Sequence, residues 1–95
     1  MLNQFLLVGR IVKNIKNNNV TIAITRNHKN ENGEYETDFV DVIIKGSIAK
    51  TTAEYCKKGD IIGVKGIIQS NIIKNRRKII LIAERVTFLS SKKEN

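Results

Sequence analysis

Proline and tryptophan are both absent from the 95 residues, and there is a single cysteine, Cys56. One cysteine allows neither an internal disulfide nor a cysteine-based zinc site. Long apolar runs are missing too. The longest, such as Ile79 to Ala83, fall far short of the ~20 residues that a membrane-spanning helix needs. The N-terminus has no charged segment followed by a long apolar stretch, the mark of a secretory signal. These absences predict an intracellular, cytoplasmic protein without metal, cofactor or membrane partner.

Catalytic constellations are equally scarce. One histidine, His28, and no Ser/His/Asp or Cys/His arrangement in a recognisable context leave nucleophilic catalysis without its parts. Gly63-Val64-Lys65-Gly66 is too short for a phosphate-binding loop. Asp38 and Asp41 lie three apart on a predicted strand, so their side chains point to opposite faces and form no carboxylate pair. Cys56 falls on a buried stripe and reads as a small hydrophobe. The sequence predicts no enzyme.

What is abundant is positive charge. Seventeen basic residues against nine acidic ones give a formal charge of +8. Ile, Lys and Asn together make up 39 residues, and all three have A/T-rich codons, so coding bias alone would raise the lysine count. The distribution is harder to explain that way. Residues 30–44 hold Glu31, Glu34, Glu36, Asp38 and Asp41 with no Lys or Arg, leaving 17 basic against 4 acidic residues elsewhere. A surplus of +13 over most of a small domain favours a polyanionic partner, nucleic acid ahead of membrane.

Length and patterning predict one domain, 1–90, followed by a short disordered tail, 91–95. Residues 4–13 form an apolar strand with Gly9 inside it, where a glycine marks a bulge, a bend or a close backbone approach. After the polar cluster Asn17-Asn18-Asn19, residues 20–26 alternate as a half-buried strand should. Asn32-Gly33 is the signal of a two-residue hairpin. In residues 37–45, Val40, Val42 and Ile44 share the face expected to meet the core, with Phe39, Asp41 and Ile43 opposite. Residues 47–58 read as the one helix, with Ser47 as N-cap and Gly59 as its left-handed end. Ile48, Thr52, Tyr55 and Cys56 form its buried stripe, and Lys57 and Lys58 suit the negative end of its dipole. Residues 60–70 and 78–89 are two further strands joined by a basic stretch, 71–77. Five strands with one helix between the third and fourth is the order of the OB-fold, an all-β Greek-key barrel. Glycines 9, 46, 59, 63 and 66 fall where such a barrel turns corners.

Leu2-Asn3-Gln4-Phe5-Leu6-Leu7-Val8-Gly9-Arg10 resembles the opening of bacterial-type single-stranded DNA-binding proteins. So do Asn32-Gly33-Glu34 with Thr37-Asp38-Phe39-Val40, Ala53-Glu54-Tyr55-Cys56-Lys57-Lys58-Gly59-Asp60 with Gly63-Val64-Lys65-Gly66, and the ending Val86-Thr87-Phe88-Leu89. The resemblance runs in order over residues 2–89. It implies a homo-oligomer, a tetramer with a dimer as alternative, assembled through an exposed edge of the first strand. It also implies binding of single-stranded DNA in replication, recombination, repair or plasmid and phage transfer. A primosome or conjugation accessory factor and an RNA-binding OB module are the alternative readings.

The departures from that family are specific. Lys45 stands where the third strand usually ends in an aromatic, Ile73 where the last hairpin carries one, and His28 near a third such position. Phe39 alone keeps a ring at a matched stacking position, where an aromatic contributes about 1–3 kcal/mol per base. Tyr35 stacks or packs across its hairpin, Phe5 and Phe88 read as core or interface residues, and Tyr55 as structural. The family's acidic tail tip, which recruits other proteins, has no counterpart in Lys92-Lys93-Glu94-Asn95. What remains reads as electrostatic first, with Arg10, Lys13, Arg26, Lys29, Lys45, Lys65, Lys74, Arg76, Arg77 and Lys78 tracking phosphates. Together with His28, Phe39 and Ile73 these form the expected nucleic-acid-binding surface.

Overall fold

Ile11, Val20, Ile22, Val42, Ile44, Ile62 and Val64 are each under 2% exposed, and they explain the architecture. On three strands they occur as alternate pairs, so each strand turns one face inward and the other to solvent. A computed structural model describes residues 1–91; of the tail expected at 91–95, all but Ser91 lies outside the described residues. The elements are β1 (Phe5–Lys16), β2 (Asn19–Lys29), β3 (Tyr35–Ile44), α1 (Gly46–Tyr55), β4 (Ile61–Ile73) and β5 (Arg76–Ser90). The strands close into a barrel in the order β1-β2-β3-β5-β4. The closing contact is the parallel pairing of Val42, Ile43 and Ile44 with Leu81, Ile82 and Ala83. This is the OB barrel that the strand order implies. Among the described residues no helix is long and apolar enough to cross a membrane.

Two glycines let the strands close on one another. A Cβ on Gly9 would sit 2.4 Å from the Ile22 side chain and 2.6 Å from the Ala23 carbonyl oxygen. One on Gly66 would sit 1.9 Å from the Ile82 carbonyl oxygen, at the bulge where the β4–β5 register shifts. Beyond that bulge the β4–β5 ladder continues to Ile73↔Arg76. Residues 69–79 are exposed on both strands, so they project as a two-stranded arm. Because β3 and β5 run parallel, the β2–β3 and β4–β5 hairpins leave from the same end of the barrel.

Several local expectations are corrected. The basic stretch 71–77 is not a loop: β4 and β5 run through it and only Lys74-Asn75 turns, both with positive φ, as a two-residue type I′ turn requires. Conversely, Asn32-Gly33 is not a two-residue turn. Asn32 has no positive φ, and Glu31-Asn32-Gly33 forms a three-residue loop with only Gly33 left-handed at 79°. The Asn30 carboxamide oxygen accepts from the Asn32 and Glu34 amides and takes over the organising role.

The helix begins one residue early and ends three residues early. Ser47 is inside its first turn, and Lys45 occupies the cap position without a side-chain cap bond. Cys56 leaves the helix in extended conformation, so Lys57 and Lys58 lie past the last turn. Lys57 still reaches back, its ammonium donating to the Ala53 carbonyl at 3.1 Å. Gly59 is left-handed but belongs to the following turn, whose Lys57 amide donates to the Asp60 carboxylate. Ala49, Thr52 and Cys56 are buried, as a helix lying on the core requires, and burial pushes the Cys56 thiol pKa up. Tyr55 is not part of that stripe: it is 71% exposed. Phe5 is buried in the core, whereas Phe88 is only half covered.

Candidate nucleic-acid interface

The outward face of β1, β2 and β3 is ordered by register. Arg10 pairs with Ala23, and Ala23 with Phe39, so the three form one row across the sheet. Neighbouring strands are about 4.8 Å apart, which places the Arg10 and Phe39 backbones about 10 Å from each other. Ala23 between them is small, and the Phe39 ring is 68% exposed. In the next row Lys13 pairs with Thr21, and Thr21 with Asp41, whose carboxylate accepts from the Thr21 hydroxyl at 2.6 Å. Arg10 itself donates to the Gly59 carbonyl. That bond draws the guanidinium toward the turn before β4, on the side of β1 away from β2.

Tyr35 lies four residues before Phe39 on β3 and therefore on the same face. It pairs with Lys29, whose ammonium stands 5.8 Å from the centre of the tyrosine ring, within cation–π range. The register slips between Thr25 and Lys29, and that slip puts Lys29, where regular counting would put Asn27, opposite Tyr35. Sequence periodicity alone left Tyr35 undecided, because a bulge is invisible to strict alternation.

Arg26 is placed elsewhere. Its guanidinium makes a two-bond fork to Asp38, at 2.9 and 3.0 Å, and a third contact to Glu36 at 3.1 Å. Asp38 alternates with Phe39, so this cluster occupies the opposite face of the hairpin. The Arg26 hydrogen bond holds the Asp38 carboxyl below its ordinary pKa, and Asp38 in turn raises that of Arg26. Three of the hairpin's charges are thereby matched locally. His28 lines a shallow open groove with Arg26, Asn27, Lys29, Asn30 and Glu36.

On the arm, cross-strand partners share a face. Asn71 pairs with Lys78 and Ile73 with Arg76, giving one face with two cations. Ile68 pairs with Leu81, Ser70 with Ile79 and Ile72 with Arg77, giving a mainly aliphatic opposite face. Arg76 and Arg77 thus point apart, and Arg77 reaches Ser70 at 3.5 Å. Through the Ile43↔Ile82 pair, the Arg76–Lys78 face continues the side of the sheet that carries Phe39 and Asp41. Lys74 sits at the tip, Lys45 at the start of the helix, and Lys65 is exposed opposite Leu6 and Arg85. The surface therefore gathers Arg10, Lys13, Lys29, Phe39, Ile73, Arg76 and Lys78 on one side. Arg26 and Arg77 are left on the other.

Among the described residues no group of three or more His, Cys, Asp or Glu side chains could hold a metal ion. The arrangement sets rings suited to stacking beside cations suited to phosphates.

A closed five-stranded barrel with an open aromatic and basic face is the architecture of an oligonucleotide-binding domain. The model of the single-strand binding protein family matches residues 2–89, and the chain belongs to that family. It is 42% identical to single-stranded DNA-binding protein 1 of Clostridium acetobutylicum, over 98% of each chain. It is 34% identical to single-stranded DNA-binding protein B of Bacillus subtilis, over 97% of this chain and 94% of that one. Among solved structures, an SSB of Plasmodium falciparum in complex with ssDNA superposes with a TM-score of 0.75 at 18% identity, covering 95% of this chain and 96% of that one.

Proposed function

We propose that this protein binds single-stranded DNA with little sequence preference, and that it acts as a non-catalytic cytoplasmic, nucleoid-associated factor in replication, recombination, repair or DNA transfer. The observation that carries this reading is the shared face of Phe39, Tyr35, Arg10, Lys13, Arg76 and Lys78. Rings accept any base, and cations follow the backbone irrespective of sequence. The domain at 1–90 holds every residue invoked. Titration of labelled oligo-dT should show binding at low salt that weakens steeply as salt rises, because neutralised phosphates release counterions. Equal affinity for duplex DNA would sink the reading, and tighter binding of oligo-rU would redirect it to RNA.

The same reading includes self-assembly, as a tetramer with a dimer as the smaller alternative. β1 is not a free edge along its length: it pairs with β4 from Phe5 to Arg10 and with β2 from Arg10 onward. The β1–β2 ladder begins at Arg10, so residues 5–9 form a continuous stretch of β1 without a β2 partner among the described residues. Beside that half-edge, Leu6 and Val8 are 73% and 54% exposed, and Leu89 lies over Gly63 in the same patch. Aliphatic groups next to unpaired backbone invite a second copy. Light scattering at micromolar concentration should give a multiple of 10.8 kDa, with four copies expected. A mass equal to one chain would refute assembly.

A further inference from the structure

We propose that Asn3 is a positioning residue that sets how the β4–β5 arm leaves the barrel, and through the arm controls its grip on single-stranded DNA. The role of the arm rests on the function proposed above. Asn3 is an exposed residue two positions before β1 begins. Its side-chain amide donates to the Ile68 carbonyl at 2.7 Å, and its side-chain oxygen accepts from the Ile68 amide at 2.8 Å.

The register explains why this pair of bonds is informative. β1 and β4 pair from Arg10↔Ile61 to Phe5↔Gly66. Counting on by the same rule puts Asn3 opposite Ile68. In an antiparallel ladder, directly opposed residues at such a position exchange two backbone hydrogen bonds. Here the Asn3 carboxamide makes both in place of a backbone peptide. A carboxamide suits this role because, like a backbone peptide, it carries an N–H donor and a C=O acceptor side by side. The ladder thereby gains one further rung after the backbone of β1 has left it.

That rung is at the base of the arm. Ile68 is two residues past Gly66, where the β4–β5 register shifts because β5 carries the extra residue Glu84. Beyond it the outer edge of β4 has no strand partner among the described residues. Asn3 is thus the last tether on the β4 side of a lever whose far end carries Lys74, Arg76 and Lys78, while β5 is held at the same level by its Leu81↔Val42 pair. Without it, β4 at the arm base is held only through β5, whose own anchor to the barrel is the β3 pairing at Leu81, Ile82 and Ala83.

The test combines Asn3→Ala and Asn3→Asp with the arm variant Arg76→Ala/Lys78→Ala. Asn3→Asp keeps an acceptor for the Ile68 amide but sets a carboxylate against the Ile68 carbonyl, so it should match or exceed the alanine effect. Losing this pair of bonds should weaken oligo-dT binding about three- to tenfold at low salt. Both variants should also lower the salt slope toward that of the arm variant, and amide exchange at Ile68 should quicken. In the Asn3→Ala background, adding the arm substitutions should cost little more. A residue that merely supported the fold would lower the melting temperature and leave the slope alone. If the arm variant flattens the slope but Asn3→Ala keeps the wild-type slope and Ile68 protection, the positioning role is wrong. If the wild-type protein fails to bind oligo-dT, or the arm variant leaves its slope unchanged, the function assigned to the arm falls and this role with it.

Discussion

Replacing Gly66 by alanine should lower the melting temperature by roughly 12–24 °C, from a loss of about 3 kcal/mol or more, for a domain of this size. The added methyl would lie 1.9 Å from the Ile82 carbonyl oxygen, 2.8 Å from its carbon and 2.8 Å from the Phe5 ring. Two of these three obstacles are backbone atoms, which no rotamer change can move. Relief would need the β4–β5 bulge to open, and β5 pairs with β3 at Leu81, Ile82 and Ala83 to close the barrel. A domain of 95 residues has a total stability on the order of 5–14 kcal/mol, so such a loss is a large share of it. Gly63→Ala is the control. Its methyl would meet nothing nearer than the Leu89 side chain at 3.7 Å, and it should melt within a few degrees of wild type. Thermal unfolding of the two variants side by side decides the matter. Equal melting temperatures would mean that the bulge yields and that closure does not depend on Gly66.

Removing the two cations that share the arm face, by Arg76→Ala/Lys78→Ala, should reduce the slope of log affinity against log salt by about 1.4. This assumes one phosphate for each, at roughly 0.7 per contact on a single strand. Phe39→Ala should behave differently. It removes a stacking surface with about 1–3 kcal/mol per base at stake, and the loss should be the same at every salt concentration. Arg77→Ala, on the opposite face, should leave the slope near wild type. Titrations of oligo-dT at four or five salt concentrations separate these cases. If Arg77→Ala flattens the slope as much as the double variant, DNA does not follow the Phe39 side of the arm. If Phe39→Ala abolishes binding while the double variant keeps its slope, stacking dominates and the arm is a solvated ribbon.

The strands that build the barrel were legible because they bury one face. Val40, Val42 and Ile44, or Ile62 and Val64, alternate with less buried neighbours, and their order leads directly to the barrel. The arm was not legible, since residues 71–77 are exposed on both faces and leave no hydrophobic period to read. Its turn, Lys74-Asn75, also lacks the glycine that announces most such turns. Tyr55 is the last helical residue, and the covered stripe runs through Ala49, Thr52 and Cys56 to one side of it, a width that residue polarity alone does not reveal. Arg26 and Arg77 look like their neighbours in a list of cations. Only cross-strand register reveals that one is matched by Asp38 and Glu36, and that the other turns away from Arg76. Asn3 belongs to the opening motif, but nothing in the sequence points to its partner Ile68, 65 residues distant.

The turn at the arm tip shows where this chain stops short of its greatest stability. Lys74 and Asn75 hold φ values of 52° and 64°. Asparagine tolerates that region, whereas lysine is strained there by roughly 1–2 kcal/mol. An Asn-Gly pair is the favoured occupant of a type I′ turn and would firm the arm. It would also delete the outermost cation of the ribbon. At this position evolution could choose a better hairpin or a charged fingertip, and the residue present is the one that keeps the charge. Engineering the arm for thermal tolerance by Lys74→Asn/Asn75→Gly would therefore trade reach toward a polyanion for rigidity.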